Sequence, residues 1–355
     1  MNNRILFLPS PPRWTWLRVG LASFLLTAVP AFHATAGEAG QVGEPAVVHF
    51  AFSKSMFKDI NENDAKAAMR VYAKTMGDAV GIDTLGGLVY PDGTNAIAEM
   101  LRLKQIDMIS LTTEEFLLLE DQGLAGPFLM STVNHSFAEE YVLLVREGSP
   151  IQCAGDLKGH SLIVLNDLRS ALAPIWLEVY CREHGLGPAN QVFAKVTSAT
   201  KVTQTVLPVF FGKADVCIAT RNGWEVMGEL NPQVKKQLRV VATSPPVVPG
   251  LSCFRRDFSE SLKERLVKIA EESRDNPTFK QVMALFKTEE LSCQNAASLD
   301  STRQLMAAYH RLCAETNQAV ASGSEPADSR TTTVTKEPRM TAGMQSIEAP
   351  HASPP

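Results

Sequence analysis

Hydroxyl and guanidinium side chains recur where predicted strands turn into helices. They are Thr112 and Thr113, Arg169 and Ser170, and Thr220 and Arg221. A helix N-terminus presents unpaired N–H groups and the positive end of the helix dipole, so it accepts anions, and a nearby guanidinium adds charge-assisted hydrogen bonds. The pattern predicts a small oxyanion site. Ser and Thr at these positions also serve as ordinary N-caps, so that structural alternative stands beside the ligand-binding one.

Two segments of similar pattern must position these side chains. In 104–113 and in 212–221, an Asp opens a mostly apolar run, and a Thr follows that Asp at the fifth position. Asp107 and Asp215 begin their strands, away from the ligand side, and are expected to be structural. Ligands of open α/β sheets bind beyond the carboxyl ends of strands. Two such strand ends predict an α/β protein with two lobes facing each other across a cleft.

The order of the predicted elements gives the lobe boundaries. Strands at 47–52, 85–90 and 107–111 form a first unit, and strands at 161–165, 191–196, 215–219 and 238–242 form a second, with a helix at 201–211. We expect lobe 1 over 37–140 and 256–316, and lobe 2 over 147–248. Segments 141–146 and 249–255 are predicted to cross between the lobes. The last helices, ending with 299–313, are expected to pack on lobe 1.

The two ends of the chain lie outside this fold. Arg4, Arg13 and Arg18 precede an apolar run, 19–32, and a small-residue site, Ala34-Thr35-Ala36, so 1–36 is predicted to be a signal peptide. An uncleaved anchor is the alternative. Cleavage moves the net charge from -4 to -7, which argues against nucleic-acid binding. The Ser-, Thr- and Pro-rich segment 320–355 is predicted to be disordered.

Catalytic patterns are missing from the sequence. It contains no G-x-G-x-x-G, Walker A, H-E-x-x-H or G-x-S-x-G motif, and its seven His lack metal-ligand spacing. Glu139 and Glu140 are adjacent on a predicted strand and therefore point to opposite faces. The six Cys form no C-x-x-C motif, and 15 pairings remain open. We therefore predict no enzyme activity, no metal and no cofactor.

Six motifs in order resemble a known family. They are FSKSMF with the first strand, the helix NAIAEMLR, Gln105-Ile-Asp107, Asp156-Leu-Lys-Gly159, Gly212-Lys-Ala-Asp215 and LRVVATSPP. Together they are similar to the phosphate/phosphite/phosphonate-type substrate-binding proteins of ABC importers. The resemblance implies a type II periplasmic-binding-protein fold in the periplasm, which captures a small anionic ligand for an inner-membrane ABC permease and acts as a monomer. A ligand sensor docking on a membrane kinase is the alternative, and an enzyme on the same fold is a more distant one.

The resemblance also implies which residues bind the ligand. The Ser/Thr-rich turn of the family corresponds to 166–171, where Ser170 keeps a hydroxyl and Arg169 is a departure. Thr220 and Arg221 replace a common acidic residue, so we expect an anion without a cationic end; a carboxylate in the pocket would argue against that. The complete candidate set is Ser53, Ser55, Tyr90, Thr112, Thr113, Asn166, Arg169, Ser170, Thr220 and Arg221.

Overall fold

A computed structural model describes residues 47–322, with side chains described for 47–315. The strands are β1 Phe50–Phe52, β2 Met108–Thr112, β3 Leu124–Thr132, β4 Tyr141–Arg146, β5 Ser161–Leu165, β6 Lys195–Ala199, β7 Val216–Thr220, β8 Leu238–Thr243, β9 Gly250–Arg255 and β10 Glu290–Gln294. The helices are α1 Glu62–Val80, α2 Thr94–Arg102, α3 Thr113–Leu119, α4 Ala173–Glu183, α5 Ala189–Val192, α6 Val202–Phe210, α7 Arg221–Leu230, α8 Pro232–Gln237, α9 Glu260–Glu272, α10 Pro277–Leu285 and α11 Asp300–Ser322. The predicted signal peptide and most of the predicted tail lie outside the described residues.

The strands form two five-stranded sheets. The first has the order β1-β2-β9-β3-β10, and the second β6-β5-β7-β4-β8. The first sheet begins with one parallel pair and the second with two, and the remaining pairs of both sheets are antiparallel. We call the first sheet with its helices α1–α3, α9 and α10 lobe 1, and the second sheet with α4–α8 lobe 2. The predicted α/β class is confirmed, and both sheets are mixed, with parallel and antiparallel pairs.

The two predicted crossing segments are strands inside the sheets. Tyr141–Arg146 pairs with β7 and β8, and Gly250–Arg255 pairs with β2 and β3. The chain instead passes between the sheets in 133–140 and 244–249, where Glu139 and Val247 exchange two backbone hydrogen bonds. Both segments are apolar enough to be buried strands, and the sequence pattern could not show that each would be paired on both edges.

Two other predicted elements also differ from the structure. The segment 85–90 contributes only an isolated bridge, between Ala51 and Val89, rather than a strand. Helix α11 starts beside lobe 1, where the Thr302 hydroxyl accepts a hydrogen bond from the Val248 N–H. Leu305 and Met306 then join the core of lobe 2, so this helix is not confined to lobe 1 as predicted.

Capping groups and turn aspartates fix the strand ends. Helix α1 begins after Asn61, whose side chain accepts hydrogen bonds from two backbone N–H groups. Asp107 binds Arg255 at 2.8 Å, and Asp215 binds the Ser161 hydroxyl at 2.7 Å, so both Asp residues have the structural role predicted. Within 47–322, no helix is long and apolar enough to cross a membrane, and all six Cys are unpaired.

Candidate ligand-binding site

The predicted hydroxyls of lobe 1 converge on one carboxylate. Ser53 and Ser55 donate to one oxygen of Glu115, at 2.7 and 2.8 Å. The Thr112 hydroxyl and backbone N–H donate to the other oxygen, at 3.1 and 3.0 Å, and Thr112 caps α3 in return. These donors are therefore engaged by Glu115, which sequence reasoning did not identify. Glu115 lies there because it is the third residue of α3 and forms a capping box with Thr112.

The other two lobe 1 candidates also have internal roles. The Tyr90 hydroxyl donates to the Lys66 carbonyl at 3.1 Å, and its ring packs near Phe52 and Phe57. Thr113 is fully buried, and its hydroxyl has no hydrogen-bond partner among the described residues. Neither Tyr90 nor Thr113 lines the cavities described below.

In lobe 2, the turn that leads into α4 forms hydrogen bonds within itself and an ion pair with the segment 133–140, which passes between the sheets. Arg169 forms an ion pair with the buried Glu139, while the Ser170 hydroxyl donates to Asp167 at 2.7 Å. Burial raises the pKa of Glu139, and the charge of Arg169 opposes that rise. Asn166 is half-buried, and its backbone N–H donates to the Ala199 carbonyl.

At the end of β7, the two remaining candidates are also engaged. Thr220 caps α7 by accepting from the Gly223 N–H at 3.2 Å. Arg221 is paired with Glu140 and donates to the Thr243 hydroxyl at 3.1 Å. Both predicted arginines are thus neutralised by carboxylates of the crossing segment, Glu139 and Glu140. Thr112 and Thr220 are buried rather than outward-facing, but they line different cavities.

Two polar cavities of opposite charge lie between the lobes. The acidic cavity, of about 760 Å³, is lined by two lysines and four carboxylates, and Ala171 and Leu172 close it from lobe 2. Its charged residues are Lys54, Lys58, Glu62, Asp92, Glu114 and Glu115. The basic cavity, of about 350 Å³, has three cations and one carboxylate. Its charged residues are Arg169, Lys201, Lys287 and Asp167.

The N-terminus of α6 forms one wall of the basic cavity. Thr200, Lys201, Val202 and Thr203 line it there, and no side chain caps the first N–H groups of the helix. Lys201 forms no ion pair within the described part of the chain, and both threonines are exposed. Three kinds of anion-binding donor are therefore available together: free backbone N–H groups, hydroxyls and an unpaired ammonium.

Lys287 contacts residues of both lobes beside this cavity. It hydrogen-bonds Asp59 of lobe 1 and lies 3.6 Å from Asp167 of lobe 2. Burial disfavours its charge, but the bond to Asp59 and the charges of both carboxylates raise the pKa of Lys287 overall. Asp167 is consequently engaged by both Lys287 and Ser170, which leaves the basic cavity without an unpaired carboxylate.

Sequence reasoning missed most of the basic cavity. The segment 197–200 lies between a predicted strand and a predicted helix, so it was a fourth turn of the kind already used to choose candidates. Thr200, Lys201 and Thr203 were available from that signal. Lys287 had no comparable signal, because it reaches the cleft from a loop after α10.

A family model described as "ABC transporter, phosphonate, periplasmic substrate-binding protein" matches residues 55–290. The chain belongs to this family. The resemblance recognised in the sequence is therefore confirmed, and so is its non-enzymatic role, since the family is the substrate-binding component of a transporter. Membership implies a periplasmic location and operation with an ABC permease. It gives no sign of the sensor-kinase alternative. No curated protein matches the chain.

Two solved structures of XAC2383 have a similar fold and support the α/β class. XAC2383 from Xanthomonas citri bound to chloride ion is 19% identical with a TM-score of 0.52, and the comparison covers 76% of this chain and 100% of that one. XAC2383 bound to ATP is 20% identical with a TM-score of 0.52, covering 76% and 98%. PhnD1 from Prochlorococcus marinus (MIT 9301) in complex with methylphosphonate is 15% identical, with a TM-score of 0.49 and coverage of 74% and 97%.

Proposed function

We propose that this family member captures a small phosphonate-class oxyanion without a cationic end, in the basic cavity, and passes it to its permease. The observation that supports the proposal is Lys201, the one cation of this cavity's lining that forms no ion pair within the described residues, beside the uncapped N-terminus of α6. The acidic cavity is lined by four carboxylates and two lysines and would repel an oxyanion. Lys201, Thr200, Thr203 and the N–H groups of α6 are the proposed ligand donors.

The lack of a free carboxylate determines the preferred ligand. An ammonium group on the ligand needs an acidic partner, and Asp167 already binds Ser170 and Lys287. Phosphate, phosphite and simple alkylphosphonates are therefore favoured over aminoalkylphosphonates. Arg169 and Arg221 act in this proposal as structural cations, since Glu139 and Glu140 neutralise them.

The remaining parts of the proposal concern processing and assembly. We propose that cleavage before Gly37 releases a monomer into the periplasm. The predicted disordered tail, 320–355, is corrected at its start, because residues up to Ser322 belong to α11. Mass spectrometry of the exported protein tests the cleavage site, and light scattering tests the monomer. A mature N-terminus at another residue, or a stable dimer, contradicts the corresponding part.

Calorimetric titration of Lys201→Ala with methylphosphonate tests the site. A charge-assisted hydrogen bond contributes about 1.5–3 kcal/mol, so the variant should bind roughly 10- to 100-fold more weakly. Lys195→Ala is the matched control, because Lys195 is exposed on β6 and lines neither polar cavity. Wild-type affinity in Lys201→Ala, or tighter binding of 2-aminoethylphosphonate than of ethylphosphonate, refutes the proposed site.

A further inference from the structure

One turn of lobe 2 reaches into lobe 1. The turn, 167–169, follows β5 and precedes α4. Its middle residue, Leu168, lines an apolar cavity of about 70 Å³ whose other lining residues all belong to lobe 1. The apolar ones include Phe52, Met56, Phe57, Leu129, Met283 and Phe286. Leu168 is therefore shielded from water by lobe 1 only while the two lobes stay together, and its burial there favours that arrangement.

The residue before Leu168 makes a polar contact with lobe 1. Asp167 is buried, and one of its carboxylate oxygens lies 3.6 Å from the Lys287 ammonium. Lys287 also pairs with Asp59 of lobe 1, whose side chain is 5% exposed. Because both carboxylates are largely removed from water, the solvent screens their attraction to Lys287 less than it screens a pair of exposed groups.

Little space separates the turn from the part of lobe 1 that it faces. The cavity lined by 167–169 on one side and by 59–60 and 285–287 on the other has a volume of about 10 Å³. One water molecule needs roughly 10–15 Å³. The two surfaces are therefore in direct contact, with room for at most one water between them.

Hydrogen bonds fix the shape of the turn within lobe 2. The second Asp167 oxygen accepts from the Ser170 hydroxyl at 2.7 Å and from the Ser170 N–H at 2.9 Å. The Arg169 carbonyl accepts from the Tyr141 hydroxyl of β4 at 3.0 Å. Since the turn is held on both sides of Leu168, this side chain leaves the apolar cavity when lobe 2 moves away from lobe 1, and not by a local change of the turn.

We propose that the 167–169 turn is a latch that keeps the two lobes closed in the absence of ligand. Leu168 supplies the apolar contact and Asp167 the ionic one, and neither is among the proposed ligand donors. A ligand then enters during transient opening of the latch, and binding that requires such a conformational change has a lower association rate. The latch is independent of which ligand binds and of where in the cleft it is held.

Small-angle X-ray scattering of the ligand-free full chain tests the latch. Leu168→Ser removes the apolar contact and should lower the ratio of closed to open protein roughly tenfold. The radius of gyration of this variant should therefore exceed that of the wild-type protein. Leu103→Ser is the matched control, because Leu103 is 48% exposed at the end of α2 and lines none of the cavities described above. It should keep the wild-type radius.

The latch is overturned if Leu168→Ser is folded by circular dichroism and keeps the wild-type radius, or if Leu103→Ser expands as much. Should Leu168→Ser not fold, Asp167→Asn decides. Its amide oxygen still accepts from Ser170, but the charge facing Lys287 is gone, so the radius should again increase. An unchanged radius overturns the latch. These samples contain no ligand, so failure of the latch leaves the proposed function intact, and failure of phosphonate binding leaves the latch intact.

Discussion

Replacement of Arg169 by Ala should destabilise the fold before it affects the ligand. The side chains of Glu139 and Arg169 are 3% and 14% exposed, so the pair is largely removed from water. Removing one partner of a buried pair leaves an uncompensated charge and costs about 3–5 kcal/mol. Arg102→Ala is the control, because its pair with Glu99 is 68% and 55% exposed and contributes at most about 1 kcal/mol.

The stability that Arg169→Ala loses relative to the wild-type protein should depend on pH. Burial raises the pKa of Glu139, and loss of Arg169 removes the main opposing influence. When a carboxyl has a higher pKa in the folded state than in the unfolded state, the folded state binds more protons. Stability then falls as pH rises from the unfolded value, about 4.3, through the folded one. The loss of stability should therefore be small at pH 4 and much larger at pH 7.

Urea unfolding of the single variant and of Arg169→Ala/Glu139→Gln, at both pH values, measures these effects. The double variant should recover most of the lost stability at pH 7, because no buried charge remains. Wild-type stability in Arg169→Ala together with lost phosphonate binding would refute this reasoning. That result would support the prediction from sequence that Arg169 contacts the ligand.

Two further predictions concern lobe 1. Glu115→Ala removes the acceptor used by Ser53, Ser55 and Thr112. Leaving the two buried donors, Ser53 and Thr112, unsatisfied should cost about 2–4 kcal/mol. Glu114→Ala, on the adjacent exposed position, should cost less than about 0.5 kcal/mol in the same urea titration, and equal losses would contradict the assignment. Gly77→Ala would place a Cβ 2.5 Å from the Thr84 hydroxyl and 2.6 Å from the Ile82 carbonyl, so it should lower the melting temperature in calorimetry. Gly148→Ala, where a Cβ meets nothing within 4 Å, is its control, and similar melting temperatures would show that the α1 turn has room to adjust.

The sequence by itself determined the elements and the family. Apolar runs such as Val216–Thr220 predict buried strands wherever they lie, and the turn residues after them predict helix starts, since these signals depend on a few neighbouring positions. Thr112 and Thr220 cap their helices, which is the structural alternative to ligand binding that the sequence leaves open.

Tertiary structure alone decided which polar groups remain free for a ligand. Glu139 and Glu140 reach Arg169 and Arg221 across gaps of tens of residues, and Lys287 reaches Asp167 from the other lobe. A charge in the sequence does not indicate its partner, because ion pairing depends on distances that only the folded chain sets. The same reason explains why Lys201, in an ordinary turn of the sequence, is the cation left unpaired at the uncapped start of α6.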